Sequence, residues 1–180
     1  MALRVIVALG LAGLLTQGIA SAYEGEAASE YQVKAAFLFN FAKFVEWPVP
    51  AFKSADQPIA ICTLGENPFG SSLEDVVRDK TVGERGFAVR EVSNIQEVSK
   101  CHILFVGASQ MKRFRSLPGD LKRFAILTVG EAEDFIANGG IVNLKLKNTR
   151  IQIEIDIGAA ELAKLRISSK LLSLAQTVKK

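Results

Sequence analysis

Ile59-Ala60-Ile61-Cys62-Thr63-Leu64 is a nearly continuous apolar run between Pro58 and Gly65. A strand that is apolar on both faces belongs inside a parallel sheet covered by helices on each side. His102 to Val106 and Phe124 to Val129 are runs of the same kind. Candidate helices at Pro68 to Asp79, Ser109 to Leu117 and Glu131 to Asn138 fall between and after these runs, which gives a βαβ rhythm. Arg85 to Val92 carries Arg90 and Glu91 and is assigned to a sheet edge. The expected fold is α/β, with a Rossmann-like, mostly parallel sheet flanked by helices. Within it Pro68 suits the first position of its helix and Asn67 the cap before it.

Toward the amino end, Ala27 to Glu46 contains no glycine or proline. Val33, Phe37, Phe41 and Phe44 recur at helical spacing, with a second apolar row at Tyr31, Leu38, Ala42 and Val45. A helix apolar on most of its circumference is either deeply buried or shared with another subunit. Phe37, Phe41 and Phe44 are accordingly expected at a homodimer interface. Pro48 and Pro50 end the helix. Before it, Arg4, the apolar Val5 to Leu15 and the small residues Ala20-Ser21-Ala22 have the form of a secretory leader at residues 1–22, cut before Tyr23. Residues 23–180 are then expected to form one exported domain, with no later segment long and apolar enough to span a bilayer.

Toward the carboxyl end the period changes to two. Val142, Leu144 and Leu146 alternate with Asn143, Lys145 and Lys147, and Ile151, Ile153 and Ile155 alternate with Gln152, Glu154 and Asp156. A turn at Asn148-Thr149 makes this an antiparallel hairpin in which Leu144 faces Ile153 and Lys145 faces Gln152. One face is apolar; the other is polar and expected to lie uncovered. Ile167, Leu171, Leu174, Ala175 and Val178 then form the stripe of a closing helix, with Ser168 or Ser169 near its start.

The chain of 180 residues is 49% hydrophobic and 23% charged with a net charge of +3, a globular composition without the basic footprint of a nucleic-acid binder. A single histidine, His102, restricts metal or acid/base chemistry, and it is read as structural. Cys62 and Cys101 in an oxidising compartment are expected to meet as a disulfide rather than bind metal. In a sheet of order 2-1-3-4 their strands are neighbours, but staggered, so the bridge is expected to form and to be reducible. Gly65 to Ser72 has the glycine spacing of a phosphate loop with Ser71 where the lysine should be, which removes the chemistry. Glu131, Glu133 and Asp134 are assigned to a helix start and Glu154 and Asp156 to an open strand, neither an acid catalyst's apolar pocket. Lys112, Arg113, Arg115, Lys122 and Arg123 are read as solvated surface. No catalytic constellation, metal site or cofactor site emerges, and binding suits the chain better than turnover.

Three segments carry a family resemblance: Glu30 to Pro48 (EYQVKAAFLFNFAKFVEWP), Gly139-Gly140-Ile141-Val142, and Leu165 to Leu172 (LRISSKLL). Together they resemble the YfiR-like family of periplasmic proteins. The resemblance implies a non-enzymatic negative regulator that binds the periplasmic sensor domain of an inner-membrane diguanylate cyclase and lowers cyclic di-GMP, a signal of biofilm regulation. An outer-membrane lipoprotein would relieve the repression. It also implies a partner contact at Glu154, a groove for a small aromatic molecule near Arg166, and a redox-associated pair at Cys62 and Cys101. A second cysteine pair of the family is replaced by Ile136 and Ser168, and Asp156 stands where asparagine is common. The partner surface is therefore expected at Lys145, Glu154 and Asp156, anchored by apolar residues at its margin, with Glu154 setting register. The alternative is a periplasmic small-molecule receptor, or an accessory protein of another signalling or transport system, whose groove near Arg166 is the main function.

Overall fold

The computed structural model describes residues 17–117 and 119–179, with side chains described from residue 30 onward apart from those of residues 120 and 122. The expected leader falls almost wholly outside this part: residues 1–16 are not described, and residues 17–22 enter only as backbone of the first helix.

The chain runs α1 (Gln17–Phe44), β1 (Val45–Glu46), β2 (Ile59–Leu64), α2 (Ser72–Val77), β3 (Phe87–Val92), α3 (Ile95–Val98), β4 (Ile103–Val106), α4 (Met111–Ser116), β5 (Leu127–Gly130), β6 (Val142–Lys147), β7 (Arg150–Asp156), α5 (Ile157–Leu162), β8 (Arg166–Ile167), α6 (Ser169–Leu172) and β9 (Thr177–Lys179). Among the described residues the main sheet has the order β3-β2-β4-β5-β6-β7-β9, and β1 pairs with β8 apart from it. The pairs from β3 to β6 are parallel, β6 and β7 are antiparallel, and β9 returns parallel to β7. This is the expected mostly parallel α/β sheet, with Arg90 and Glu91 on the expected edge strand.

The double apolar character of β2 follows from its place. Ile59 and Ile61 pack in one cluster with Leu38 and Phe41 of α1, while Ala60, Cys62 and Leu64 pack in another with Val98, Met111 and Phe114. In α1 the buried row is Lys34, Ala35, Leu38, Phe41 and Ala42, continued by Val45 at the start of β1, so the helix lays one stripe on the sheet and leaves Val33 45% exposed.

Four expectations change. The helix after β2 starts at Ser72 rather than Pro68, because Asn67 closes a local turn instead of capping: its Oδ1 accepts from Phe69 N at 2.9 Å and its Nδ2 donates to Gly70 O at 3.1 Å. The third apolar run becomes a strand only from Leu127. Residues 131–138 form turns and a short 3-10 segment, Ile136–Asn138, instead of a helix. The closing segment is helical only over Ser169–Leu172, capped by Ser168 as expected. Val178 lies in β9 opposite Ile155, because the free backbone edge of β7 offers hydrogen bonds that a continued helix would leave unmade.

The loss of the helix at 131–138 has a packing cause. Phe135 is fully buried, and its ring lies against Gly130 and Gly140, where an added Cβ would overlap it. Gly139 then ends the 3-10 turn in the left-handed region at φ 86°. The Gly139-Gly140 pair is thus a turn residue followed by a packing residue. Gly130→Ala is expected to destabilise the fold by about 1 to 3 kcal/mol through overpacking. A chemical-denaturation midpoint equal to that of the unchanged protein would contradict this packing.

Candidate functional site

The hairpin forms in the expected register, Leu144 opposite Ile153 and Lys145 opposite Gln152. Its apolar side joins the α1 cluster through Val142, Leu144, Ile153 and Ile155. Its polar side is not uncovered, and this corrects the expectation. The turn after β5 folds over its inner half, so Asn143 is completely buried and donates from Nδ2 to Ala132 O at 2.8 Å. Asn143 Oδ1 is buried without a hydrogen-bond partner among the described residues.

Toward the hairpin tip the covering stops and charge begins. Lys145 Nζ lies 2.8 Å from Glu133 Oε1 and 3.2 Å from Glu154 Oε1, with Glu133 almost fully exposed and Glu154 a quarter exposed. The hydrogen bond to Glu133 raises the Lys145 pKa above its ordinary value, with partial burial opposing it and Glu154 adding to the rise. Lys145 and Glu154 therefore meet diagonally where the covered half of the face gives way to the open tip, Glu154 lying opposite Asn143 and accepting from its Nδ2 at 3.4 Å. Asp156 does not join them. Its side chain is largely buried, its Oδ1 accepts from Ala159 N at 2.8 Å as the cap of α5, and it pairs with Lys179 at 3.1 Å. Its carboxylate is used in closing the fold, so the expectation of a surface contact there is corrected.

On the opposite side of the tip, Val33 and Phe37 of α1 and Leu146 and Ile151 of the hairpin line a groove of about 320 Å³. Val33 and Leu146 are 45% and 46% exposed, an apolar margin directly beside the charged tip. Of the rings expected at a dimer interface, Phe41 is completely buried in the core and is corrected to a packing residue. Phe37 stacks on it at 6.0 Å while keeping a partly open face, and Phe44 is also partly open. Arg166 projects from β8, 85% exposed, with Glu46 3.6 Å away on β1.

The two cysteines are bridged, with Cα atoms 5.9 Å apart. The expected stagger is present, since Leu104 rather than Cys101 lies opposite Cys62, and the bridge closes across it because Cys101 precedes β4 in the turn after α3, where its N–H donates to Val98 O. His102 is buried as a structural ring. Its Nδ1 accepts from Ala60 N at 2.9 Å, its Nε2 faces Ala51 O at 3.2 Å, and Phe52 stacks on it at 4.3 Å. Burial pushes its pKa below the usual imidazole value.

Sequence reasoning missed one polar cluster. Lys34, 2% exposed, pairs with Glu30 and lies 2.5 Å from Glu131 Oε2, while Tyr31 and the Ala108 N–H donate to Glu131 Oε1. The signal was available, since Lys34 is in helical register with Leu38, Phe41 and Val45 on the buried face. The cluster ties α1 to the ends of β4 and β5 and presents no open reactive group. Among the described residues no group of three or more His, Cys, Asp or Glu could hold a metal ion, and no helix is long and apolar enough to cross a membrane.

A family model described as YfiR/HmsC-like matches residues 31–176. A crystal structure of a conserved domain protein from Vibrio cholerae O1 biovar eltor str. N16961 is similar at a TM-score of 0.49 and 12% identity, covering 67% of this chain. The alignment covers 55% of that protein, so the chain spans about half its length. No curated protein matches the sequence.

Proposed function

The chain belongs to the YfiR/HmsC-like family, and from that premise we propose that it is a periplasmic negative regulator of cyclic di-GMP signalling. In this reading residues 1–22 are a cleaved leader and residues 23–180 one exported domain. The domain binds the periplasmic sensor of an inner-membrane diguanylate cyclase and is withdrawn by an outer-membrane lipoprotein. It acts without catalysis, by occupying the sensor. The observation that carries the reading is the family match across residues 31–176, which runs from within α1 to the residue before β9.

The hairpin tip is the contact surface in this proposal. Lys145 and Glu154 supply charge complementarity and orientation, and Val33, Phe37, Leu146 and Ile151 supply the apolar area that holds a complex together. Self-association, where it occurs, uses the open faces of Phe37 and Phe44. Glu154→Lys places a second cation beside Lys145 and is expected to cost about 1 kcal/mol of stability. In a strain carrying the cognate cyclase, Glu154→Lys and, separately, Leu146→Asp are expected to raise cyclic di-GMP toward the level of a deletion strain while the protein still accumulates. If both variants accumulate and repress like the unchanged protein, the hairpin tip is not the contact surface.

A further inference from the structure

A cleft of about 570 Å³ opens at the starts of the parallel strands, where Ala60, His102 and Ile126 form part of its wall. None of the hairpin residues lines it. Lys53, Arg90, Lys100, Arg123 and Lys164 do, and no Asp or Glu is among its described lining residues. Arg123 has a partner, whereas the side chains of Lys53, Arg90, Lys100 and Lys164 make no hydrogen bond or ion pair among the described residues. Six cations outside the cleft, Lys34, Arg78, Arg115, Lys145, Arg166 and Lys179, lie in ion pairs. Like charges gathered around a concave wall repel one another, and the same geometry focuses a positive potential into the cleft.

A second observation concerns the backbone. Lys164 follows α5 in the left-handed region at φ 59°, with its N–H donating to Glu161 O, a helix-ending position where glycine is the usual residue. The strained lysine therefore puts a cation on the rim at a place where local conformation favours no side chain at all. The wall is apolar at Pro50, Phe124 and Ile126, and the cleft has the volume of a small-molecule site.

We propose that this cleft binds a small solute bearing two or more negative charges, either phosphoryl or carboxylate groups, through Lys53, Arg90, Lys100 and Lys164. The proposal stands apart from the partner surface at the hairpin. A single charge would engage one or two of the four cations, whereas a compact multiply charged anion engages several at once, so valence is the discriminating property.

The test is calorimetric titration of the exported protein with pyrophosphate, citrate and acetate at one fixed ionic strength. Pyrophosphate or citrate is expected to bind with a Kd below about 1 mM, and at least tenfold more tightly than acetate. Binding of pyrophosphate alone assigns a phosphoryl ligand, citrate alone a polycarboxylate, and both a site that reads charge. Lys164→Gly is expected to melt at or above the temperature of the unchanged protein, because glycine relieves the strain, yet to bind the anion about five- to tenfold more weakly. Arg90→Gln, on an exposed strand position, is expected to weaken binding to a similar degree. The proposal is overturned if neither polyvalent anion is held more tightly than acetate, or if Lys164→Gly and Arg90→Gln both retain the original affinity.

Discussion

Replacing Lys34 by methionine is expected to lower the unfolding free energy by about 3 to 5 kcal/mol, the penalty for leaving a buried charge without its partner. For a chain of this size that corresponds to a fall in melting temperature of roughly 10 °C. Lys34 is 2% exposed and stands between Glu30 and Glu131, whose side chains are 20% and 10% exposed. Methionine fills the stem of the lysine but strips Glu131 of its cation in a site that water barely reaches. The Tyr31 hydroxyl and the Ala108 N–H still donate to Glu131, and neither neutralises it. The double variant Lys34→Met/Glu131→Gln removes both the cation and the stranded charge, and it is expected to recover about half the loss. Denaturant unfolding measures both variants. A single-variant loss below about 1 kcal/mol would mean that the ion pair is solvated and that α1 is held by its apolar stripe alone.

Loss of the Cys62–Cys101 bridge has the second large effect. The residues are separated by 39 positions, and in the chain-entropy model opening such a loop costs about 4 kcal/mol. Cys62 and Cys101 are 1% and 4% exposed, so a reductant reaches the bond only through local opening around α3 and the start of β4. Reduced protein is expected to melt well below the oxidised form, and the Cys62→Ala/Cys101→Ala variant to melt near the reduced form whether or not reductant is present. Equal melting of the oxidised and reduced proteins would show that the fold does not depend on the bond.

Much of this architecture was legible because its signals are local. The six apolar residues of β2 require cover on both faces, and the alternation around Asn148-Thr149 permits one register, since a slip by one residue would turn Leu144 and Ile153 toward the wrong side. What was not legible depends on partners distant in sequence. Glu131 reads as a helix-start acid until Lys34, brought near by α1, draws it inward. Phe135 falls within the candidate helix from Glu131 to Asn138 until Gly130 and Gly140 provide its slot. Val178 continues a helical period, but the unpaired edge of β7 takes it as a strand. Asp156 looked like a surface charge because a cap and a strand position share the same alternating pattern. For the candidate site, the sequence located the charged tip and anticipated an apolar margin. It could not show that the margin combines Val33 and Phe37 of α1 with Leu146 and Ile151.

The two lateral edges of the sheet set limits on how copies of this protein meet. One edge is β3, with Arg90 and Glu91 exposed, and the other is β9, only three residues long and ending in exposed Lys179. Charged or very short edge strands resist the addition of another strand. Two molecules therefore cannot readily continue one sheet into the next, and the route from paired copies to ordered aggregates is blocked at both ends. A crowded compartment would leave such a chain free to exchange partners through its side-chain surfaces without seeding fibres.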